Sequence, residues 1–280
     1  MTVPRGARVL RGIRRALVVV AVLLPGPLAV LAWGPRESTA SAEAAASVAS
    51  VASAATPDGA SAATVQVYGA RTYGWRGAFG IHTWIAVRRR DAPLYTVYQV
   101  IGWSVYRGGP AISVRQVERA DFRWFNAEPQ LLAQRRGADA EPLIDRVEAA
   151  VAAYPWPLEY RVWPGPNSNT FTAFVARQVP ELGLDLPSTA IGKDYLAGGR
   201  IVDRTPSGSG WQFSLLGLFG VSLALEEGLE INLLGLSFGL DLNDPALRLP
   251  GIGRLGADAS IKPPGPASQW SRDSRQPSAR

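Results

Sequence analysis

The stretch WPGPNSNTF, residues 163–171, decides how the middle of the chain is read. Pro164, Gly165 and Pro166 interrupt regular structure. Asn167-Ser168-Asn169-Thr170 is what a helix N-terminus prefers, because short polar side chains accept hydrogen bonds from the first free amides. Phe174, Val175 and Val179 then follow at helical spacing. Pro157 to Trp163, just upstream, reads as a short strand. A strand, a turn and a helix start therefore meet at Ser168.

Further upstream, Phe79 to Val87 (FGIHTWIAV) and Leu94 to Ile101 (LYTVYQVI) are strand candidates rich in β-branched and aromatic residues, with a third over Ala111 to Val117. Arg88 to Pro93 reads as a solvated hairpin loop. Asp139 to Tyr154 carries Leu143, Val147, Ala150, Val151 and Tyr154 at helical spacing, with acids in the first turn and Pro155 just beyond. Downstream, Gln212 to Leu242 repeats itself, SLLGLFG at 214–220 resembling NLLGLSFG at 232–239. This is read as two apolar strands around a turn that form sheet core, with membrane contact as the alternative.

The fold expected is α+β, a small antiparallel sheet with packed helices, followed by a glycine-rich apolar β region. The expected organisation is 1–36 as signal sequence or membrane anchor, 37–63 as an Ala/Ser-rich flexible linker, 64–204 as the α+β core, 205–256 as its β extension, and 257–280 as a disordered tail.

Charge locates the chain. Its net +6 is carried entirely by Arg5, Arg8, Arg11, Arg14, Arg15 and Arg36, all ahead of the first acid, Glu37. The remainder is neutral and lacks the basic footprint that nucleic acid requires, so nucleic acid is set aside. Ala16 to Trp33 is uncharged and follows the arginines, as in a signal sequence or an anchor. As a helix it would span roughly 27 Å, although Pro25-Gly26-Pro27 favours a break and Ala40-Ser41-Ala42 offers a cleavage site. Either reading puts the protein in the cell membrane or outside the cytoplasm, with the membrane as partner through the N-terminal segment and an envelope substrate or protein as a second partner.

With no cysteine, thiol chemistry is excluded, and with one histidine, His82, any imidazole mechanism must use it. No ligand spacing calls for a metal, and no cofactor is implied. Gly251 to Gly256 spells G-x-G-x-x-G, but no preceding strand or following helix is expected there. Gly235 to Gly239 spells G-x-S-x-G, but no histidine follows Ser237. His82 shares a strand face with Trp84 and Ala86. A serine at a helix N-terminus, near amides able to form an oxyanion hole, could be activated by a strand-borne imidazole.

The blocks IHTW (81–84), WPGPNSNTF (163–171) and EEGLEINLLGLSFGLD to LPGIGR (226–254) resemble an uncharacterised bacterial membrane-associated family known as a domain of unknown function, over most of residues 65–256. More remotely, the order of histidine strand, second strand, helix and Asn-Ser-Asn-Thr-Phe is similar to the circularly permuted papain-like enzymes, among them lecithin retinol acyltransferase relatives and PPPDE peptidases. Their pattern has Asn-Cys shortly before an aromatic residue. That resemblance implies a permuted papain-like core with Ser168 at the nucleophile position and His82 as base. The polar residue expected from the neighbouring strand is Gln99, with Tyr98 and Thr96 as rivals, and Trp84, Asn167 and Asn169 would line the substrate site. Serine in place of cysteine lays the whole burden of activation on His82. Two functions follow: a serine-dependent hydrolase or acyltransferase acting on an envelope amide or ester, or a catalytically inactive binding or scaffold module of the same fold at the membrane.

Overall fold

The computed structural model describes residues 12, 14, 18, 20, 21, 23–33, 62–241 and 243–256. Most of the expected linker, the expected tail and the Ala40-Ser41-Ala42 cleavage site lie outside the described residues.

The chain is a mixed α/β protein with two antiparallel sheets and few helices. After helix α1 (Pro25–Trp33) come β1 (Thr64–Arg71), β2 (Ile81–Arg88), β3 (Tyr95–Val100), the short helix α2 (Gly102–Tyr106), β4 (Ile112–Val117) and β5 (Gln130–Arg136). These five strands form one sheet in the order β4-β3-β2-β1-β5. Helices α3 (Ala140–Ala152) and α4 (Ser168–Gln178) cover one face. Val65, Val67, Ile85 and Val87 point into that layer and meet Ile144, Val147, Phe171 and Val175 in the main core. The alternate residues Tyr68, Ala70, Trp84 and Ala86 point to the opposite face, where Trp124 and Phe125 cover them.

Strands β2, β3 and β4 and both helices lie where periodicity puts them. The polar loop Arg88 to Pro93 joins β2 to β3, and Arg89 is anchored there by Asp145 and Glu148 of α3, each at 2.7 Å. No strand forms over 157–163. Pro155, Pro157, Pro164 and Pro166 each remove an amide donor that a ladder would need. Strands β1 and β5 are additions to the elements expected.

The remaining strands form a seven-stranded meander: β6 (Val202–Arg204), β7 (Gly210–Leu215), β8 (Phe219–Ala224), β9 (Gly228–Leu233), β10 (Leu236–Asp241), β11 (Ala246–Leu249) and β12 (Gly253–Gly256). The sequence repeat is two copies of one turn. Leu216-Gly217-Leu218 joins β7 to β8 and Leu234-Gly235 joins β9 to β10, with Leu and Gly left-handed in both (φ 52° and 70°, then 55° and 81°). Between β9 and β10 that is the twist-matched two-residue hairpin geometry; between β7 and β8 one further residue is added.

The meander is not the apolar sheet core expected. It buries its polar face. Gln212, Ser214, Glu230, Asn232, Ser237 and Arg248 point inward against residues 185–195, where Lys193 pairs with Glu230 and Arg248 with Asp185. Asp194 gathers the amides of Gln212 and Asn232 and the hydroxyl of Ser237. The apolar alternates point outward. One cross-strand row is Phe213, Val221, Ile231 and Phe238, and a second is Leu215, Phe219, Leu233 and Leu236. G-x-G-x-x-G at 251–256 does follow a strand, β11, contrary to expectation, but it leads into β12 and not a helix. Ser237 is buried within β10, not raised on a turn.

Candidate functional site

Asn167 caps α4, its Oδ1 accepting from the amides of Asn169 (2.9 Å) and Thr170 (3.1 Å), while Thr170 Oγ1 accepts from the Asn167 amide (3.1 Å). Both ends of this side chain are committed, since Nδ2 donates to the carbonyls of Val162 (3.1 Å) and Ile191 (3.0 Å). Asn169 is equally engaged: Nδ2 donates to Ile81 O (3.0 Å) and Ile191 O (2.8 Å), and Oδ1 accepts from Thr83 Oγ1 (3.0 Å). Gly192, at φ 100°, lies so close under the Asn167 amide that a Cβ there would collide with it. The block thus ties three elements together: the start of α4, strand β2 and the 190–193 turn. In this structure Asn167 and Asn169 are joints of the scaffold, and their polar atoms are engaged within the protein, not offered to a substrate.

Thr83 is the β2 residue that meets this block. Its hydroxyl lies 3.0 Å from Asn169 Oδ1, 2.9 Å from Thr172 Oγ1 and 3.2 Å from the Ser168 carbonyl oxygen. His82, one residue earlier, points to the other face of the sheet. There it is opposite Ala70 of β1, packs in the layer of Trp84, and stacks on Trp124 with ring centroids 3.8 Å apart and planes 11° apart. No hydrogen bond joins Ser168 to the His82 ring among the described residues. α4 covers the face on which Thr83, Ile85 and Val87 lie.

The structure does join His82 to Gln99, with Nε2 2.9 Å from Gln99 Oε1. Of the rivals, Tyr98 turns to the helical layer, where its hydroxyl donates to Glu148 (3.3 Å), and Thr96 lies farther along β3, paired with Val87. Trp84 is fully buried, and its Nε1 donates to Ala120 O (2.8 Å). Burial holds the imidazole at a pKa of about 4, well below its ordinary value; the bond to Gln99 opposes this and Arg115 adds to it. At neutral pH the ring is uncharged. Gln99 Nε2 is buried without a hydrogen-bond partner among the described residues.

Around this pair runs an aromatic shelf that sequence reasoning missed. Trp103 stacks on Trp124 at 5.7 Å, and Tyr73 meets Phe125 at 4.8 Å. Trp103 is 36% and Tyr106 72% exposed. Trp124 and Ala127 close a tight turn whose central residues, Phe125 (φ 47°) and Asn126 (φ 70°), are both left-handed. An aromatic side chain held there is strained, and such strain concentrates at functional sites. RWFN at 123–126 was the available signal. Among the described residues no group of three His, Asp or Glu side chains is placed to hold a metal ion.

Residues 62–195 match the family model described as "Protein of unknown function (DUF3750)". The match takes in the whole five-stranded sheet, α3, α4, His82 and the Asn167–Thr170 block, and stops before the meander. Comparison with curated proteins and with solved structures returns no match.

Proposed function

We propose that the protein is a catalytically inactive binding module of the cell envelope, held at the membrane through its N-terminal segment, with a permuted papain-like plan in its 64–204 core. One observation carries this reading: the His82 ring bonds Gln99 and stacks on Trp124, and no hydrogen bond joins it to Ser168 among the described residues. Serine without a base is a poor nucleophile.

The binding surface is the aromatic shelf. Trp103 and Tyr106 offer exposed rings, and Trp124 links Trp103 to His82, with the unpaired Gln99 amide buried behind. Such a surface suits a ligand with a flat or cationic face. The membrane part of the reading rests on the uncharged Ala16 to Trp33 run behind five arginines. Among the described residues no helix is long and apolar enough to cross a membrane. α1, with nine residues, reaches about 14 Å.

The test is labelling with a fluorophosphonate probe that traps activated serines. No adduct at Ser168 is expected. A stoichiometric adduct abolished by both Ser168→Ala and His82→Gln would restore the hydrolase.

A further inference from the structure

The meander shows the alternation of a lipid-facing sheet, polar toward the protein and apolar outward. On the outward rows of β7 to β12 there is no charged side chain among the described residues, and the Trp211 indole on β7 is the one hydrogen-bonding group. Within these rows Val221 is 37% and Leu223 67% exposed. The rows together expose on the order of 1,000 Å², beyond the roughly 300–600 Å² of the largest patch on an ordinary monomer.

The turns at one end are Leu216 to Leu218, Leu234-Gly235 and Pro250 to Ile252; those at the other are Thr205 to Ser209, Leu225 to Glu227, with Leu225 exposed and Glu227 buried, and the turn holding Asn243 and Asp244. The two leucine turns adopt a conformation that favours asparagine or glycine, yet Leu216 and Leu234 stand 63% and 53% exposed at their tips. Trp163 joins the same end, its Nε1 donating to Leu234 O (2.8 Å) while half its surface stays exposed. α1 arrives there too: Gly26 and Pro27 pack on Pro250 and Gly251, and Arg71 Nη1 donates to Gly251 O (2.6 Å).

We infer that this end of the meander, with its outward face, is a membrane-docking surface that dips into the lipid headgroup and acyl boundary with Leu216 and Leu234 leading. The occupant is a bilayer and not a second copy or another protein, for two reasons. A specific protein interface carries about one hydrogen bond per 100–200 Å², and this face offers only the Trp211 indole and, at its β6 edge, the Arg204 guanidinium stacked over it to make them. Leucine leads here, whereas protein hot spots favour tryptophan, tyrosine and arginine. Backbone polar groups of the inner strands are paired within the sheet, so its face tolerates lipid. Attraction is apolar, so neutral lipid suffices. The inference deepens the membrane reading and shares its premise that α1 lies at the bilayer.

The absence of cysteine makes the test direct. Single variants Leu216→Cys, Leu234→Cys and Ile231→Cys, with Asn243→Cys at the opposite end, are made in the full chain, tagged with a nitroxide and bound to phosphatidylcholine vesicles. The expected result is flotation with the vesicles, with the first three labels relaxed by oxygen and protected from a water-soluble nickel complex, and the Asn243 label open to nickel. If the protein floats but nickel reaches Leu216, Leu234 and Ile231, the docking surface is refuted while the N-terminal attachment stands. Labels at Ile231 shielded from both reagents and broadened by a second label would assign the face to another copy and equally refute it. Failure to float removes both readings.

Discussion

Replacing Asn167 by alanine removes four hydrogen bonds at one joint, besides the longer one from Thr170 Oγ1 to Oδ1 (3.3 Å). Two are the caps to the amides of Asn169 and Thr170, and loss of such a cap costs about 1 kcal/mol. The other two are the Nδ2 bonds to Val162 O and Ile191 O. Ile191 O keeps its bond from Asn169 Nδ2. Val162 O loses its partner, and an unpaired group at a site where Asn167 itself is only 5% exposed costs roughly 1–3 kcal/mol. The sum is about 3 kcal/mol. Asn167→Asp separates the contributions: the cap acceptor survives and gains from its charge at a helix N-terminus, while both donors vanish. Urea unfolding followed by near-ultraviolet circular dichroism should place the stabilities in the order wild type, Asp, Ala. An alanine variant within about 0.5 kcal/mol of wild type, as at an ordinary surface position, would refute the assignment of Asn167 to the scaffold.

Lys193→Met leaves Glu230 buried without its amine partner and should cost roughly 3–5 kcal/mol, measured by the same unfolding curves; Lys193→Met with Glu230→Gln should recover part of it. Thr83→Val should cost about 1–2 kcal/mol through the loss of its bond to Asn169 Oδ1, with no change in the His82 environment seen by NMR. Stability should fall in acid because of His82. Its folded pKa of about 4 lies below the unfolded 6.5, so the unfolded state binds the extra proton first; stability is full above about pH 6.5 and drops by about 3 kcal/mol as pH falls to 4. His82→Phe should flatten that slope, and an unchanged slope would show that the imidazole is solvated.

The sequence is readable where periodicity meets a single layer. β2, β3 and α3 carry their own patterns, and the Asn167–Thr170 run reads as the cap it is. β1 (TVQVYGAR) also alternates and could have been found, whereas β5 (QLLAQRR) ends in arginines that look like surface. The meander misleads for a physical reason. Its alternation is plain, but which half is buried depends on Lys193, Asp194 and Asp185, whose pairing with distant strands no local pattern reveals. The same kind of parity governs the site. That His82 and Trp84 share a face follows from the strand period; that α4 covers the other face, with Thr83, is a tertiary fact.

The most direct measurement is the NMR titration of the sole histidine in wild type, Ser168→Ala and Gln99→Leu. An imidazole stacked on Trp124 and bonded to Gln99, on the face away from α4, should titrate near pH 4 in wild type and in Ser168→Ala alike. In Gln99→Leu, which removes a bond that raises the pKa, it should titrate lower still. A titration that moves with Ser168→Ala and ignores Gln99→Leu would put His82 beside the serine and contradict the account.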